Sequence, residues 1–254
     1  MSEKNRASGR ERQFAIIAGS GFQEFVEDSS GRSVETRYGP PSSPIRDLVY
    51  GDRTVYQLAR HGESMLIPPH KINYRANLKA LQQLGVTDII ALNTVGAIVE
   101  GHHPGSVAVP DQIIDYTFGR DHSIYDGESD SLANIDFTEP LNAGLRRSLL
   151  HAAEQMDVQC HKGGAYAVTQ GPRLETAAEV NKLERDGADY VGMTAMPEAS
   201  LAMELGMRFA CLSLIVNYAA GRSETDIHED VEASTLSARE QAVAILTGFF
   251  RSVD

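Results

Sequence analysis

The stretch RTVYQLARHGESMLIPPHKINYRANLKALQQLGVTDIIALN, residues 53–93, decides the fold prediction. It begins with a short run of β-compatible residues and ends with a second apolar run, DIIALN. Between the two runs, Tyr74, Leu78 and Leu81 recur at the spacing of one helix face. The helical pattern stops at Gly85, a residue type that commonly follows the last turn of a helix. The stretch therefore predicts strand, loop, helix and strand, which is typical of a parallel sheet.

The same alternation continues along the rest of the chain. Strands are predicted over residues 14–19, 53–59, 88–93, 106–110, 165–171, 189–193 and 208–217. Helices are predicted over residues 73–85, 144–156, 177–188, 197–207 and 232–252. Because most of the strand segments are almost continuously apolar, both faces of the sheet are expected to be covered. The sequence predicts one α/β domain with a mixed, largely parallel central sheet flanked by helices.

Composition and charge exclude several classes of function. The chain has 254 residues and a formal net charge of −12, and this charge disfavours binding to nucleic acids or anionic membranes. The two cysteines form neither a metal-ligand cluster nor a disulfide framework, so no metal is expected. Residues 1–12 are predicted to be a mobile tail and 13–254 the domain. No secretory signal or membrane-spanning run is recognisable, which predicts a cytoplasmic protein.

Polar residues and glycines follow several of the predicted strands. In a sheet of this class, ligands bind beyond the carboxyl ends of the strands. The segments at these ends are Gly19–Ser20–Gly21, Arg60–His61–Gly62, Asn93–Thr94, Gly171–Pro172–Arg173, Met193–Thr194 and Asn217–Tyr218. Hydroxyls, amides and cations that meet at one edge of a sheet predict a polar small-molecule site that includes an anion.

Arg60 and His61 are the candidates for binding that anion. An arginine fork can hold two oxygens of a phosphate, and a histidine can add a hydrogen bond. Each candidate also has an ordinary structural interpretation. Arg60 can form a surface ion pair, and Thr194 can cap the helix that follows it. The segment AGSGF can be a tight turn, and Glu24 replaces the third glycine of a dinucleotide fingerprint, which disfavours an oxidoreductase.

Longer motifs identify a resemblance that covers about residues 14–250. They are AGSG, RHG followed by PHKINYRANLKAL, NTVGAI, PGSVAVPDQIID, TQGPRLETAAEV, GMTAMPEASLA and VNYAAG. With these motifs the chain resembles the trimeric purine nucleoside phosphorylases and methylthioadenosine phosphorylases. The resemblance implies cleavage of an N-glycosidic bond by inorganic phosphate as co-substrate, with no metal or organic cofactor. It also implies a homotrimer in which the loop over 118–140 reaches a neighbouring site.

The resemblance assigns roles to ten residues. Those matching phosphate-binding positions are Ser20, Arg60, His61, Thr94 and Thr194. Those matching nucleoside-binding positions are Met193, Glu175, Asn217, Tyr218 and Ala219, with Met193 packing against the sugar. Arg60, His61 and Asn217 are the implied catalytic residues. Since Arg60 follows a strand rather than lying within it, we expect its replacement by alanine to remove activity and leave the fold intact.

Two departures from the methylthioadenosine branch concern the purine base. That branch has aspartates after its last core strand, whereas this chain has Asn217. The methylthioadenosine branch also has a small hydroxyl residue at the position of Glu175. Glutamate at that position matches the phosphorylases of 6-oxopurines, in which a carboxylate accepts the N1–H that adenine lacks. The alternatives are a first-turn acid for Glu175, favoured by the helix dipole, and a turn residue for Asn217.

Two residues are alternative candidates for contact with the 5′ end of the nucleoside. His228 aligns with a position that meets a 5′-hydroxyl, whereas Val231 would line an apolar pocket. Asn134 stands where the methylthioadenosine branch has a histidine from a neighbouring subunit.

Together these features predict cleavage of 5′-methylthioinosine to hypoxanthine and 5-methylthioribose 1-phosphate. The alternatives are a purine nucleoside phosphorylase acting on inosine or guanosine, a methylthioadenosine phosphorylase, and a non-catalytic nucleoside-binding protein.

Overall fold

The computed structural model describes residues 12–20, 22, 31–127, 134–223 and 231–253. Within these residues strands and helices alternate along the chain. The strands are β1 (Phe14–Ala18), β2 (Arg46–Tyr50), β3 (Arg53–Ala59), β4 (Asp88–Ala97), β5 (Ser106–Val109), β6 (Gln112–Asp115), β7 (Cys160–Lys162), β8 (Ala165–Val168), β9 (Tyr190–Gly192) and β10 (Arg208–Tyr218). The helices are α1 (Tyr74–Gln83), α2 (Ala143–Gln155), α3 (Ala177–Arg185), α4 (Glu198–Glu204) and α5 (Val231–Ser252).

All ten strands belong to one branched sheet. Its main path runs β2-β3-β1-β4-β10-β5-β7, and a branch of β9, β8 and β6 leaves from the end of β4. Six of the nine strand pairings are parallel, and the pairs β2–β3, β10–β5 and β4–β9 are antiparallel. The predicted α/β fold with a mixed, largely parallel sheet is confirmed.

Helices cover both faces of the sheet. Alternate residues of β1 enter two separate apolar clusters, Ala15 and Ile17 in one and Phe14 and Ile16 in the other, as the two-residue period of a strand requires. Helices α1 and α4 contribute to the first cluster, and α2 and α5 to the second. These two clusters therefore lie on opposite faces of the sheet, and a third, smaller cluster packs α3 against the branch formed by β8 and β9.

The predicted strands and the observed strands differ at the margins. All seven predicted strands are present, but β4 continues to Ala97 because Gly96 and Ala97 pair with both β10 and β9. Strands β2, β6 and β7 were not predicted. Strand β2 is a partly exposed edge strand, and β6 and β7 have four and three residues.

The amino-terminal tail prediction falls almost wholly outside the described residues. Arg12 is described, and its Nη2 donates to Asp88 at 3.1 Å. In the described part of the chain, no helix combines the length and apolar character needed to cross a membrane.

Candidate active site

The carboxyl ends of β1, β3, β4, β9 and β10 surround one cavity. Parallel pairing places the ends of β1 and β3 at the same level, since Ala18 of β1 aligns with Ala59 of β3 and the Arg60 N–H donates to the Ala18 carbonyl at 2.9 Å. Strand β9 reaches the cavity by antiparallel pairing with the end of β4. Nine of the ten predicted site residues line the cavity: Ser20, Arg60, His61, Thr94, Glu175, Met193, Thr194, Asn217 and Ala219. The sheet therefore brings together residues that are far apart in the sequence.

Arg60 is fully buried and is held by three hydrogen bonds. Its Nε and Nη2 donate to the two carboxylate oxygens of Glu198 at 2.6 and 2.9 Å, and its Nη1 donates to the Leu92 carbonyl at 2.8 Å. The carboxylate of Glu198 is also fully buried. A guanidinium has five N–H groups, so one on each terminal nitrogen has no bond within the described residues. The ion pair predicted as an alternative exists, but it lies inside the site rather than on the surface.

Gly19 gives the guanidinium the space that it occupies. A Cβ atom at Gly19 would lie 2.7 Å from Arg60 Nη1 and 2.6 Å from the Leu92 carbonyl oxygen, and both distances are too short for a side chain. The first glycine of the AGSG motif is therefore required by the close approach of Arg60, and the adjacent Ser20 is an exposed residue of the cavity lining.

His61 is held in one tautomer by its backbone neighbour. Its Nδ1 lies 2.8 Å from the Ile67 carbonyl oxygen. Because a carbonyl can accept but not donate, Nδ1 carries the proton. Burial and the adjacent Arg60 charge lower the pKa of His61, so the ring is neutral at neutral pH and its Nε2 is an acceptor. Within the described residues Nε2 has no hydrogen-bond partner.

Thr194 does not cap the following helix. Helix α4 begins at Glu198 with Pro197 at its N-cap. The Thr194 hydroxyl instead accepts from Asn93 Nδ2 at 2.8 Å, and both side chains are buried. This bond does not use the hydroxyl proton of Thr194. Since Thr194 lines the cavity, that proton can be donated to a ligand.

The lining of the cavity also includes a carboxylate and an amide. Glu175 accepts from the Thr169 hydroxyl at 2.6 Å. It precedes α3, whose N-cap is Thr176 and whose first-turn acid is Glu179, so the helix-dipole interpretation does not explain Glu175. Asn217 Nδ2 donates to its neighbour's backbone carbonyl at 2.7 Å. This bond leaves one N–H and the carbonyl oxygen of the amide for a ligand.

Tyr218 is the predicted site residue that does not line the cavity. Successive strand residues point to opposite faces, so Tyr218 points away from the side of Asn217, and its hydroxyl lies 2.8 Å from His103 Nδ1. Val231 packs against the apolar cluster of α2 and α5 and is absent from the described lining. His228 lies outside the described residues. Asn134 is exposed and is likewise not among the described lining residues.

The sequence analysis missed Glu198 and Arg120. Glu198 follows the TAMP segment and is surrounded by apolar residues, and a charge in such a segment was the signal available. Arg120, from the 118–140 loop, is buried and donates to the carbonyls of Met193 at 3.0 Å, Gln170 at 2.9 Å and Met196 at 2.5 Å. It fixes the backbone beneath Met193. Within the described residues, no group of three or more His, Cys, Asp or Glu side chains is placed to hold a metal ion.

Comparisons with known proteins identify the family of the chain. The family model described as "Phosphorylase superfamily" matches residues 13–251. A probable S-methyl-5′-thioinosine phosphorylase of Xylella fastidiosa is 50% identical over 82% of this chain and 84% of its own length. A 6-oxopurine nucleoside phosphorylase of Pyrococcus furiosus is 42% identical over 92% of this chain and 90% of its own.

Solved structures agree in fold as well. Methylthioadenosine phosphorylase from Schistosoma mansoni, in complex with adenine, superposes with a TM-score of 0.86 at 31% identity. The match covers 95% of this chain and 91% of that one. The chain therefore belongs to the phosphorylase superfamily, as one of its nucleoside phosphorylases.

Proposed function

We propose that the enzyme cleaves 5′-methylthioinosine with inorganic phosphate and releases hypoxanthine and 5-methylthioribose 1-phosphate. The observation that carries the proposal is that one cavity contains both sets of groups. Arg60 and Thr194 offer donors to an anion, and we call this part the anion end. Glu175 and Asn217 offer a carboxylate and an amide to a purine, and we call that part the base end. The name of the Xylella fastidiosa relative, which is 50% identical, supports the choice of substrate.

The anion end offers phosphate several hydrogen-bond donors and one acceptor. The two unused N–H groups of Arg60, together with the hydroxyls of Ser20 and Thr194, can donate to phosphate oxygens. The acceptor is Nε2 of His61, whose other nitrogen is occupied by Ile67. Phosphate near neutral pH retains a P–OH group that can donate to this nitrogen, whereas sulfate has none. The arrangement therefore favours phosphate over sulfate.

The reaction needs no enzyme nucleophile. The bond between the ribosyl carbon and N9 breaks, its electron pair goes to the purine, and a phosphate oxygen forms the new bond to that carbon from the opposite face. Positive charge builds up on the sugar ring as the bond breaks, and phosphate held beside it stabilises this charge. The protein contributes by positioning phosphate and sugar, and Met193 packs against the sugar.

At the base end, the free groups match hypoxanthine. Phosphate loses its P–OH proton to solvent as it becomes the sugar phosphate, and the leaving purine takes up one proton from solvent at N7, so the step balances. The amide oxygen of Asn217 can accept from that N7–H. The remaining N–H of Asn217 can donate to O6. Glu175, with one oxygen engaged by Thr169, can accept from N1–H with the other. Adenine offers an acceptor at N1 and a donor at C6, so it opposes both groups.

The coarser features of the proposal follow the family. We propose a cytoplasmic homotrimer that uses neither metal nor organic cofactor, with the 118–140 loop reaching a neighbouring site. Cross-linking and light scattering of the purified protein test the trimer, and activity after treatment with a chelator tests the metal. A single monomeric species with full activity would reject the trimer.

The direct test of function is a product assay. Methylthioinosine, methylthioadenosine, inosine and guanosine are supplied at equal concentration, with and without phosphate, and free base is measured. We expect phosphate-dependent hypoxanthine release, fastest from methylthioinosine. Faster release from inosine would favour the second candidate, a 6-oxopurine nucleoside phosphorylase, which the 42% identical Pyrococcus furiosus relative supports. Binding without release would indicate a non-catalytic protein.

A further inference from the structure

Glu198 lies behind the anion end of the cavity and binds the residue at its centre. It is the first residue of α4, and its partner Arg60 is 138 residues away in sequence at the end of β3. Both carboxylate oxygens accept from Arg60, and both side chains are fully buried. With the bond to the Leu92 carbonyl, the guanidinium is fixed at three of its five N–H groups. Glu198 therefore determines where the other two N–H groups point.

The formal charges at the anion end cancel. Burial disfavours the charge on Arg60, but Glu198 outweighs it, so the pKa of Arg60 is raised and the group stays ionised. His61 is neutral because burial and Arg60 lower its pKa. The donors from Ser20 and Thr194 carry no charge. An incoming phosphate therefore meets directed hydrogen-bond donors without a net positive charge from these side chains.

We propose that Glu198 is a positioning residue that aims Arg60 and offsets its charge, an inference that rests on the proposed phosphorolysis. The ribosyl carbon gains positive charge in the transition state, and the negative charge of phosphate stabilises it. An arginine without a counter-ion would bind phosphate more tightly. It would also compete with the positively charged sugar for the negative charge of phosphate, and so stabilise the bound reactants more than the transition state. Glu198 thus increases turnover at some cost in phosphate affinity.

The test is Glu198→Gln, which keeps the volume and one acceptor for Arg60 but removes the charge. We measure kcat, KM for phosphate and, by calorimetry, Kd for inorganic phosphate. The expected result is a kcat about tenfold lower or more, with KM and Kd for phosphate unchanged or lower. A kcat within about threefold of the parent value, or a rise in KM that accounts for the whole loss, would overturn the proposal.

Glu198→Asp distinguishes the effect of the charge from that of the side-chain length. It also provides the test if the glutamine variant does not fold. Aspartate keeps the charge but is one methylene shorter, so Arg60 follows it away from the cavity. We expect KM for phosphate to rise about fivefold or more, with kcat at saturating phosphate within about threefold of the parent value. A large loss of kcat with unchanged KM would contradict the charge argument.

Asp88→Asn is the matched control. Asp88 is also a fully buried carboxylate with arginine partners, but it lies at the amino end of β4. We expect lower stability with parental kcat and KM, and a loss of kcat like that of Glu198→Gln would overturn the proposal.

Two results distinguish failure of the proposed function from failure of this inference. If the parent shows no phosphate-dependent base release, the proposed function itself fails. If the parent is active and Glu198→Gln has the same kcat as the parent, only the role of Glu198 is rejected.

Discussion

Two buried carboxylates at opposite edges of the same sheet have different surroundings. Asp88, at the amino end of β4, accepts from Arg208 at 2.7 Å and from Arg12 at 3.1 Å, and these arginines are 44% and 29% exposed. Glu198, beyond the carboxyl ends, binds Arg60, whose side chain is 0% exposed. At the amino edge the arginines reach into solvent, whereas at the carboxyl edge the arginine points into a cavity.

The difference separates a structural ion pair from a site ion pair. At the amino edge, the arginines are partly exposed, so water can accept from those of their N–H groups that have no protein partner. At the carboxyl edge, two N–H groups of a buried guanidinium remain for a ligand, beside an imidazole acceptor and a hydroxyl donor. Both carboxylates are fully buried and paired with arginines, so removing either pair should lower stability. Only the pair at the carboxyl edge should also affect catalysis.

The largest effect is expected for Arg60→Ala, which removes the cation and leaves Glu198 buried without its partner. We expect a loss of about 2–4 kcal/mol of transition-state stabilisation and of about 3–5 kcal/mol of folding stability. The sequence analysis treated Arg60 as a site group outside the core, but its side chain is fully buried, so we expect the second loss as well. Kinetics and denaturant unfolding measure the two losses separately.

A double variant, Arg60→Met with Glu198→Leu, distinguishes these losses. Replacing both charges by apolar side chains restores stability, because no unpaired charge remains buried, but it does not restore activity. Asp88→Asn should show the reverse pattern, lower stability with normal turnover. A double variant that regains phosphorolysis would remove Arg60 from the mechanism.

The next effect concerns the base end of the cavity. Glu175→Ser together with Asn217→Asp should erode the preference for methylthioinosine over methylthioadenosine by about 2–3 kcal/mol, because both groups read the same edge of the base. The single variants should mostly lose activity, since each leaves the other group mispaired. The ratio of kcat/KM for the two nucleosides in all four proteins is the measurement. A double variant with the parental ratio would contradict the assignment.

A smaller effect is expected from Thr194→Val. Loss of one hydrogen bond to an anion should cost about 1.5–3 kcal/mol in kcat/KM for phosphate. Thr87→Val is the counterpart at the amino edge, where the Thr87 hydroxyl donates to Asp88 at 2.7 Å. It should lower stability without changing kinetics. Equal kinetic losses in the two variants would show that the comparison between the edges fails.

The smallest effect is a pH dependence of stability from His61. Its folded-state pKa lies below the ordinary value, so the unfolded chain takes up the proton first as the pH falls below about 6.5. The stabilising contribution of neutral His61 is therefore present above that pH and is lost as the pH falls through the folded-state pKa. His61→Asn, which can still donate to the Ile67 carbonyl, removes this contribution. Thermal unfolding without phosphate should show the parent losing stability relative to the variant on acidification.

Much of the fold was predictable because its signals are local. The alternation of apolar runs with helical faces gave the seven strands and five helices to within a few residues at most boundaries. Strands β2, β6 and β7 were missed because they are short or partly exposed, and their pairing depends on neighbours distant in sequence. The continuation of β4 to Ala97 likewise depends on pairing with β9 and β10.

Site residues that directly follow a strand could be predicted from the sequence. Residues that act by holding another site residue in place were hard to predict. Nine of the ten predicted residues line the cavity because parallel strands end together. Tyr218 is absent from the described lining because strand alternation sends it to the opposite face from Asn217. Glu198 and Arg120 escaped because their partners, Arg60 and the carbonyls near Met193, come from other elements. The sequence signal for Glu198 is a charge within an apolar segment, but only the tertiary contacts show what the two residues bind.

The most direct test of the account is the ratio of kcat/KM for methylthioinosine to that for methylthioadenosine, measured with the unmodified enzyme and saturating phosphate. The account predicts a ratio on the order of 10³ or more, because Glu175 and Asn217 match the hydrogen-bonding edge of a 6-oxopurine and oppose that of adenine. An enzyme that prefers methylthioadenosine would contradict the assignment of both residues.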